Sequence, residues 1–215
     1  MQLTELQKDY VTELINIAFS RAAASLSDMA RDRVDLEVPE VSVHPISKLW
    51  GALANLVQGE VASVHQVFTG PVAGDAFLLL NFDGAARLVD LLTGPSLLGQ
   101  NYLGASSKEV ITEVGNILMN ACLGVFGNLL KVRFSFSVPR LSLDALEGLV
   151  RSIAIDSNEL QHALVVGARF RVLNSEVTGG LVLVLGITSL TLFVRAVEAW
   201  AERSLDSPFQ DDLGL

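Results

Sequence analysis

Apolar residues recur at helical spacing in two long stretches of this chain, and the second echoes the first one hundred positions later, Asn16 to Asn116 and Pro39 to Pro139. In the first stretch Thr4 is placed to cap a helix whose N3 residue is Gln7. Val11, Leu14, Ile15, Ala18, Ala22 and Met29 then share one arc of a helix that runs without proline to about Met29. At about 100° per residue, Asp9, Glu13 and Asn16 fall in a narrow sector almost opposite that arc, so three polar groups stand together on the exposed face. In the second stretch Ser106-Ser107-Lys108-Glu109 carries a capping-box signature. Ile111, Val114, Leu118, Cys122, Val125 and Leu129 form the apolar arc of a helix to about Leu130, roughly opposite Glu113 and Asn116.

Between the helices the period changes to two. Val34, Leu36 and Val38, then Val41 and Val43, alternate as an extended strand, and Pro39 inside it calls for an edge position, a bulge or a break. From His44 to Gly59 the reading stays open: Leu49, Leu53 and Leu56 have helical spacing, Pro45 permits a helix only after itself, and Gly51 weakens one. Glu60 to Phe68 and Asp75 to Phe82 flank the turn-forming Thr69-Gly70-Pro71-Val72-Ala73-Gly74, which predicts an antiparallel hairpin, followed by a helix from about Asp83 to Leu92. A turn-rich loop from Gly94-Pro95 through Gly104 separates the halves.

After the second long helix the same order returns. It comprises a strand around Val132 to Val138, Pro139, a less regular stretch to Asn158, a hairpin of Leu160 to Leu173 with Gly179 to Leu185, and a helix from about Ser189 to Ala201. Gly74-Asp75 corresponds to Gly179-Gly180, which requires about five extra residues, placed in the irregular stretch where loops absorb length. The chain thus reads as a tandem duplication, residues 1–100 and 101–203, with an acidic, weakly structured tail at 204–215. Each half alone leaves a sheet edge uncovered. The expected fold is therefore one α+β domain with pseudo-two-fold symmetry: a mainly antiparallel six-stranded sheet with the two long helices and further helices packed on it.

Composition narrows the function. Half of the 215 residues are apolar, ample for a continuous core, and the net charge of -9 without a Lys/Arg cluster excludes a phosphate-backbone binder, so no nucleic-acid partner is expected. A single cysteine excludes an internal disulfide, and the first residues lack a signal-peptide pattern, which points to the cytoplasm. The longest apolar run, Gly179 to Val194, is interrupted by Gly186, Thr188, Ser189 and Thr191 and is shorter than the roughly 20 residues of a membrane span. It reads as a buried strand leading into a helix, with no membrane insertion. Cys122 takes the place of Ala22 on the apolar arc and reads as an inert buried thiol. His44, His65 and His162 lack metal-ligand spacing and read as surface or hairpin residues, so no bound metal is expected. No phosphate-cradling glycine loop is present.

The repeated polar set has no neighbouring Ser-His or Cys-His pair to make a nucleophile, but it is equipped to orient. An Asn carboxamide both donates and accepts, so it holds a water in line without taking a proton. A carboxylate beside it grips a lysine on a partner. The pattern acidic-x3-Glu-x2-Asn-x22-Pro, present as Asp9/Glu13/Asn16/Pro39 and again as Glu109/Glu113/Asn116/Pro139, closely resembles the CheC family of chemotaxis phosphatases. Val38-Pro39-Glu40-Val41, Leu88-Val89-Asp90-Leu91-Leu92 and Glu113-Val114-Gly115-Asn116-Ile117-Leu118 extend the resemblance over nearly the whole chain.

The resemblance implies hydrolysis of the aspartyl phosphate on a CheY-type response regulator. The regulator would supply the phosphoryl group, Mg²⁺ and a lysine, and this chain would bind no cofactor of its own. Glu13 and Glu113 would dock that lysine and Asn16 and Asn116 would orient water. Asp9 and Glu109 would support docking, and Pro39 and Pro139 would shape the backbone. Two positions depart from the family. Glu109 stands where Asp or Ser is common, and a capping box with Ser106 explains it structurally. Around Asn16 the chain reads Leu14-Ile15-Asn16-Ile17-Ala18-Phe19 in place of small glycine-rich neighbours, so bulk at Ile15 or Phe19 bears on how closely a partner approaches. The alternatives are a non-catalytic receiver-binding scaffold like the flagellar-switch relatives, which has no need for both Glu and Asn, and an adaptor for a CheD-like deamidase.

Overall fold

The strand Gly74–Asn81 shows how this sheet is organised. Along Phe77-Leu78-Leu79-Leu80 every side chain is buried, with Leu78 and Leu80 in one core cluster and Phe77 and Leu79 in another. Successive side chains of a strand point to opposite faces, so a run of apolar residues without alternation means that both faces are covered. The computed structural model, which describes residues 2–30, 33–94, 103–131, 133–155, 161–172 and 175–206, places helices on both.

The first half consists of α1 (Glu5–Ala30), β1 (Val34–Leu36), β2 (Glu40–Pro45), a 3-10 turn (Ile46–Lys48), α2 (Leu49–Leu53), β3 (Glu60–Thr69), β4 (Gly74–Asn81) and α3 (Phe82–Thr93). The second repeats the order with α4 (Ala105–Leu130), β5 (Ser135–Phe136), β6 (Arg140–Ala145), α5 (Leu146–Ile155), β7 (Gln161–Val172), β8 (Ser175–Gly186) and α6 (Ile187–Asp206). The sheet has eight strands where six were expected, because the strand expected over 34–43 is broken in two and a further strand follows Pro139 in the second half. Pro39 separates β1 from β2 and Pro139 separates β5 from β6, since a proline has no N–H to give a ladder.

All pairings are antiparallel, in the order β1-β7-β8-β4-β3-β5, with β2 beside β1 on β7 and β6 beside β5 on β3. Each half therefore lays its first two strands on the hairpin of the other. At the centre Phe77 faces Val182, and the pairs around it mirror one another: Gly74 faces Leu185 and Leu80 faces Gly179. A half-turn about that pair carries β4 onto β8. The halves are interlocked, and neither could cover its own hairpin edge.

α1, α3, α4 and α6 lie on one face of the sheet and α2 and α5 on the other. The open segment resolves as a 3-10 turn and a short helix, with Leu49 and Leu53 fully buried against the second face. β6 and α5 occupy what was read as irregular, in the places of β2 and α2. β7 and β8 have 12 residues each against 10 in β3 and 8 in β4, so part of the extra length lies in the hairpin and not only before it. α6 runs to Asp206, so the first three residues of the expected tail are helical; 207–215 lie outside the described residues.

Among the described residues one helical segment, Ala105–Leu129, is long and apolar enough to cross a membrane. In this fold its Val114, Leu118, Met119, Cys122, Leu123 and Phe126 are core residues. Burying one such large side chain stabilises the fold by about 1.5–3 kcal/mol.

Candidate functional site

The two motif helices pack directly against each other on the first face of the sheet, and their surroundings are alike in detail. From residue 11 to 20 and from 111 to 120, each buried, half-buried or exposed position of one helix has the same state in the other. Glu13 and Glu113 are exposed, Asn16 and Asn116 are half-buried beside them, and Asp9 and Glu109 are exposed one turn earlier. The hydroxyls of Thr12 and Thr112 donate to the carbonyls of Lys8 and Lys108 at 2.8 and 2.7 Å. Each half thus brings its acidic residue, Glu and Asn to one outward face, as the spacing predicts.

Neither Glu13 nor Glu113 has a hydrogen-bond or ion-pair partner among the described residues, and the Asn16 carboxamide has none either. These groups are free to meet a partner. The Asn116 carboxamide differs: its Oδ1 accepts a hydrogen bond from Asn120 Nδ2 at 2.8 Å. The position equivalent to Asn120 is Ser20, whose hydroxyl donates to the Asn16 main-chain carbonyl at 2.9 Å and leaves the side chain alone. Sequence reasoning missed Asn120, although two amides four residues apart on a helix face are neighbours by spacing alone.

Three expectations are corrected. Ile15 and Phe19 are 0% and 1% exposed, so they point into the core and do not crowd Asn16. The apolar face of α1 is wider than the arc drawn from its sequence and takes in Phe19 and Leu26 as well. The capping box of α4 does not form: the helix begins at Ala105 behind Gly104, with no side-chain cap, and Ser106 lies inside it. The structural explanation of Glu109 therefore falls away. The box of α1 does form, Thr4 N–H to Gln7 Oε1 at 2.8 Å and Gln7 N–H to Thr4 Oγ1 at 3.2 Å, and Gln7 Nε2 also donates to Glu198 of α6 at 2.8 Å.

Beneath the site the helices meet different neighbours. A Cβ added to Gly115 would lie 2.7 Å from Val64 Cγ1 and 2.8 Å from Val64 Cβ, so α4 sits tight on β3, whereas its counterpart Ile15 brings a full side chain to the core. Pro39 is buried and Pro139 half-buried, which fits a backbone role.

Cys122 is fully buried and its thiol is pushed up to about 12 by desolvation, as an inert core thiol requires. Of the histidines, His162 is buried in β7, not at the surface, and burial lowers its pKa. His44 is half-buried against Ser42, and its pKa is lowered by burial and by Lys48. No cluster of His, Cys, Asp or Glu suited to a metal occurs among the described residues.

Comparison with known proteins adds relatives to this geometry. No family model matches the chain. It is 25% identical over 170 residues to the CheY-P phosphatase CheC of Bacillus subtilis, covering 76% of this chain and 79% of that protein. It is 26% identical over 142 residues to the flagellar motor switch phosphatase FliY of the same organism, covering 66% of this chain but only 36% of FliY. In structure it is similar to FliY of Thermotoga maritima, with a TM-score of 0.74 at 19% identity over 93% of this chain and 99% of that one. It is also similar to the FliM middle domain of H. pylori, with a TM-score of 0.61 at 12% identity over 90% of this chain and 99% of that one. At these identities the structural likenesses speak for the fold.

Proposed function

We infer that the chain belongs to the CheC/CheX/FliY family, and from that premise we propose that it is a phosphatase acting on the aspartyl phosphate of a CheY-type receiver. The observation that carries this reading is the exposed Glu-Asn pair presented twice, at the same place on two helices of one fold. In the reaction a water oxygen bonds to phosphorus as the bond to the receiver's aspartyl oxygen breaks, and the carboxylate leaves. Asn16 and Asn116 hold that water in line; being neutral amides, they position it and do not take its proton. Glu13 and Glu113, one turn away on the same face, meet the receiver's lysine, and Asp9 and Glu109 extend the negative face that attracts it. The Mg²⁺ belongs to the receiver. Catalysis of this kind rests on positioning and electrostatics, so loss of an Asn should lower the rate more than the affinity.

The likeness to FliM favours a second reading, a receiver-binding scaffold that hydrolyses nothing, and a CheD-like deamidase is a compatible further partner. One experiment separates catalysis from binding alone: the decay of a phosphorylated CheY-type receiver with Mg²⁺, alone and with wild type, Asn16→Ala, Asn116→Ala and the double variant. The phosphatase reading requires acceleration by wild type that the double variant loses. Binding without acceleration replaces it with the scaffold.

A further inference from the structure

The pseudo-two-fold makes each half a control for the other, and on the sheet face opposite the motif helices the halves differ. About the Phe77–Val182 pair Asp75 corresponds to Gly180, and through the two hairpins His65 corresponds to Val165, so the second half has neither the imidazole nor the carboxylate. The second half has its own cavity of about 210 Å³ at that level, lined by Glu37, Glu40, Asn55, Leu56, Gly167 and Thr178 and without a histidine. A Cβ on Gly180 would lie 3.2 Å from Leu56 Cδ1, so Leu56 stands over the glycine that takes the place of Asp75. Over His65 and Asp75 the described residues leave a cavity of about 190 Å³, walled by Phe77, Leu149 and Val184 and edged by the hydroxyls of Ser63, Ser142 and Ser152.

The polar groups here are fixed. His65 Nε2 lies 2.7 Å from Asp75 Oδ1, and the imidazole stacks on Phe77 with centroids 4.4 Å apart and planes 7° from parallel. Ser152 Oγ donates to the Leu149 carbonyl at 2.7 Å. Ser63 is 1% exposed, lines the cavity, and its hydroxyl has no hydrogen-bond partner. A buried hydroxyl is costly unless something supplies its bond, and Ala163 at the corresponding place in the second half makes no such demand. Because Ser63 is not hydrogen-bonded to His65, the set lacks the nucleophile–base contact of a hydrolytic triad. Its chemistry is binding.

We propose that this cavity is a binding site for a small neutral or cationic organic molecule that donates hydrogen bonds from one end and carries a short apolar body. Asp75 supplies an acceptor and disfavours anions, Ser63 gains its missing partner, and Phe77, Leu149 and Val184 take the body. The volume is below the ~300–1,000 Å³ of drug-sized pockets, which limits the ligand to a few heavy atoms. The site faces away from Asn16 and Asn116 and stands whether or not they assist hydrolysis.

The test uses three probes with one body and different heads: isobutylamine, isobutanol and isobutyrate, titrated at pH 8 into the full chain and followed by amide NMR. The amine and the alcohol are expected to shift Ser63, His65 and Asp75 saturably with dissociation constants on the order of 1 mM, and isobutyrate to bind at least about tenfold more weakly. Ser63→Val, which removes the hydroxyl, is expected to weaken both by about tenfold while the variant stays folded. Asp75→Asn, which removes the charge that disfavours anions, is expected to bring isobutyrate to within about threefold of the alcohol. The site is overturned by the absence of saturable shifts at these residues, by isobutyrate binding as well as the amine, or by a folded Ser63→Val that binds unchanged.

Discussion

α1 and α4 are two versions of one helix, and what they share is on the outside. Over residues 11–20 and 111–120 the exposed and buried positions coincide throughout, and Glu13/Asn16 match Glu113/Asn116. What supports that face differs: Ile15 in the core against Gly115 pressed on Val64, a side-chain cap at Thr4 against the bare Gly104, and Ser20 against Asn120. Packing problems have more than one solution of equal volume and shape, so cores drift as long as the total is kept. A surface that must meet the same partner twice has less freedom. Breaking the shared face should therefore abolish function, and exchanging the differing supports should change stability or tune one site.

The largest effect is expected from the shared face. Asn16→Ala with Asn116→Ala should lower receiver dephosphorylation by about a hundredfold or more, the scale of removing a positioned polar group from a reacting centre. Each single variant should keep the contribution of the other helix. The decay rate checks this, with receiver affinity as the companion reading. A comparable fall in affinity would mean that the carboxamides bind and do not orient.

Exchanging supports should act on stability. Gly115→Ile copies the residue of α1 into α4, where even its Cβ meets Val64 at 2.7 Å, and overpacking of this kind costs about 1–3 kcal/mol. The urea midpoint should fall accordingly. If it does not, α4 has room to retreat from β3, and the two helices are interchangeable after all. A smaller loss, about 1 kcal/mol, is expected for Thr4→Ala, which removes a cap present only in α1. Gly104→Ser in α4 should change stability by only a few tenths of a kcal/mol, because glycine already serves as a tolerable cap.

The fold was legible in the sequence wherever a period ran long. Both motif helices, both hairpins and α3 stand close to their expected bounds. β6 and α5 were not read, yet their counterparts β2 and α2 had been partly drawn: Leu146 and Leu149 are buried where the repeat would have put apolar contacts, and the duplication itself was the unused signal. The capping box at Ser106 failed for a different reason, since a four-residue motif carries no information on where the preceding loop delivers the chain. Phe19 was left off the buried arc, and Ile15, though on it, was credited with bulk beside Asn16, because an arc drawn from a few apolar positions is narrower than the face a helix buries between a sheet and three other helices. Asn120 and the His65–Asp75 pair are contacts of specific atoms, the first within reach of helical spacing and the second visible only once β3 and β4 are in register.

Asn120 offers the finest test of the comparison between the helices. Its Nδ2 donates to the Asn116 Oδ1 at 2.8 Å, occupying the acceptor through which a carboxamide would take a hydrogen from the attacking water. The oxygen has a second lone pair, so the contact handicaps the site without closing it. Ser20 on α1 bonds instead to the main chain and leaves the Asn16 oxygen free. Asn120→Ser in an Asn16→Ala background isolates the α4 site, and its rate should rise about threefold, the worth of one exposed hydrogen bond at roughly 0.5–1 kcal/mol. Ser20→Asn in an Asn116→Ala background should lower the α1 rate by a similar factor. The opposite signs would make Asn120 a residue that holds Asn116 ready for water, and α4 the better site of the two.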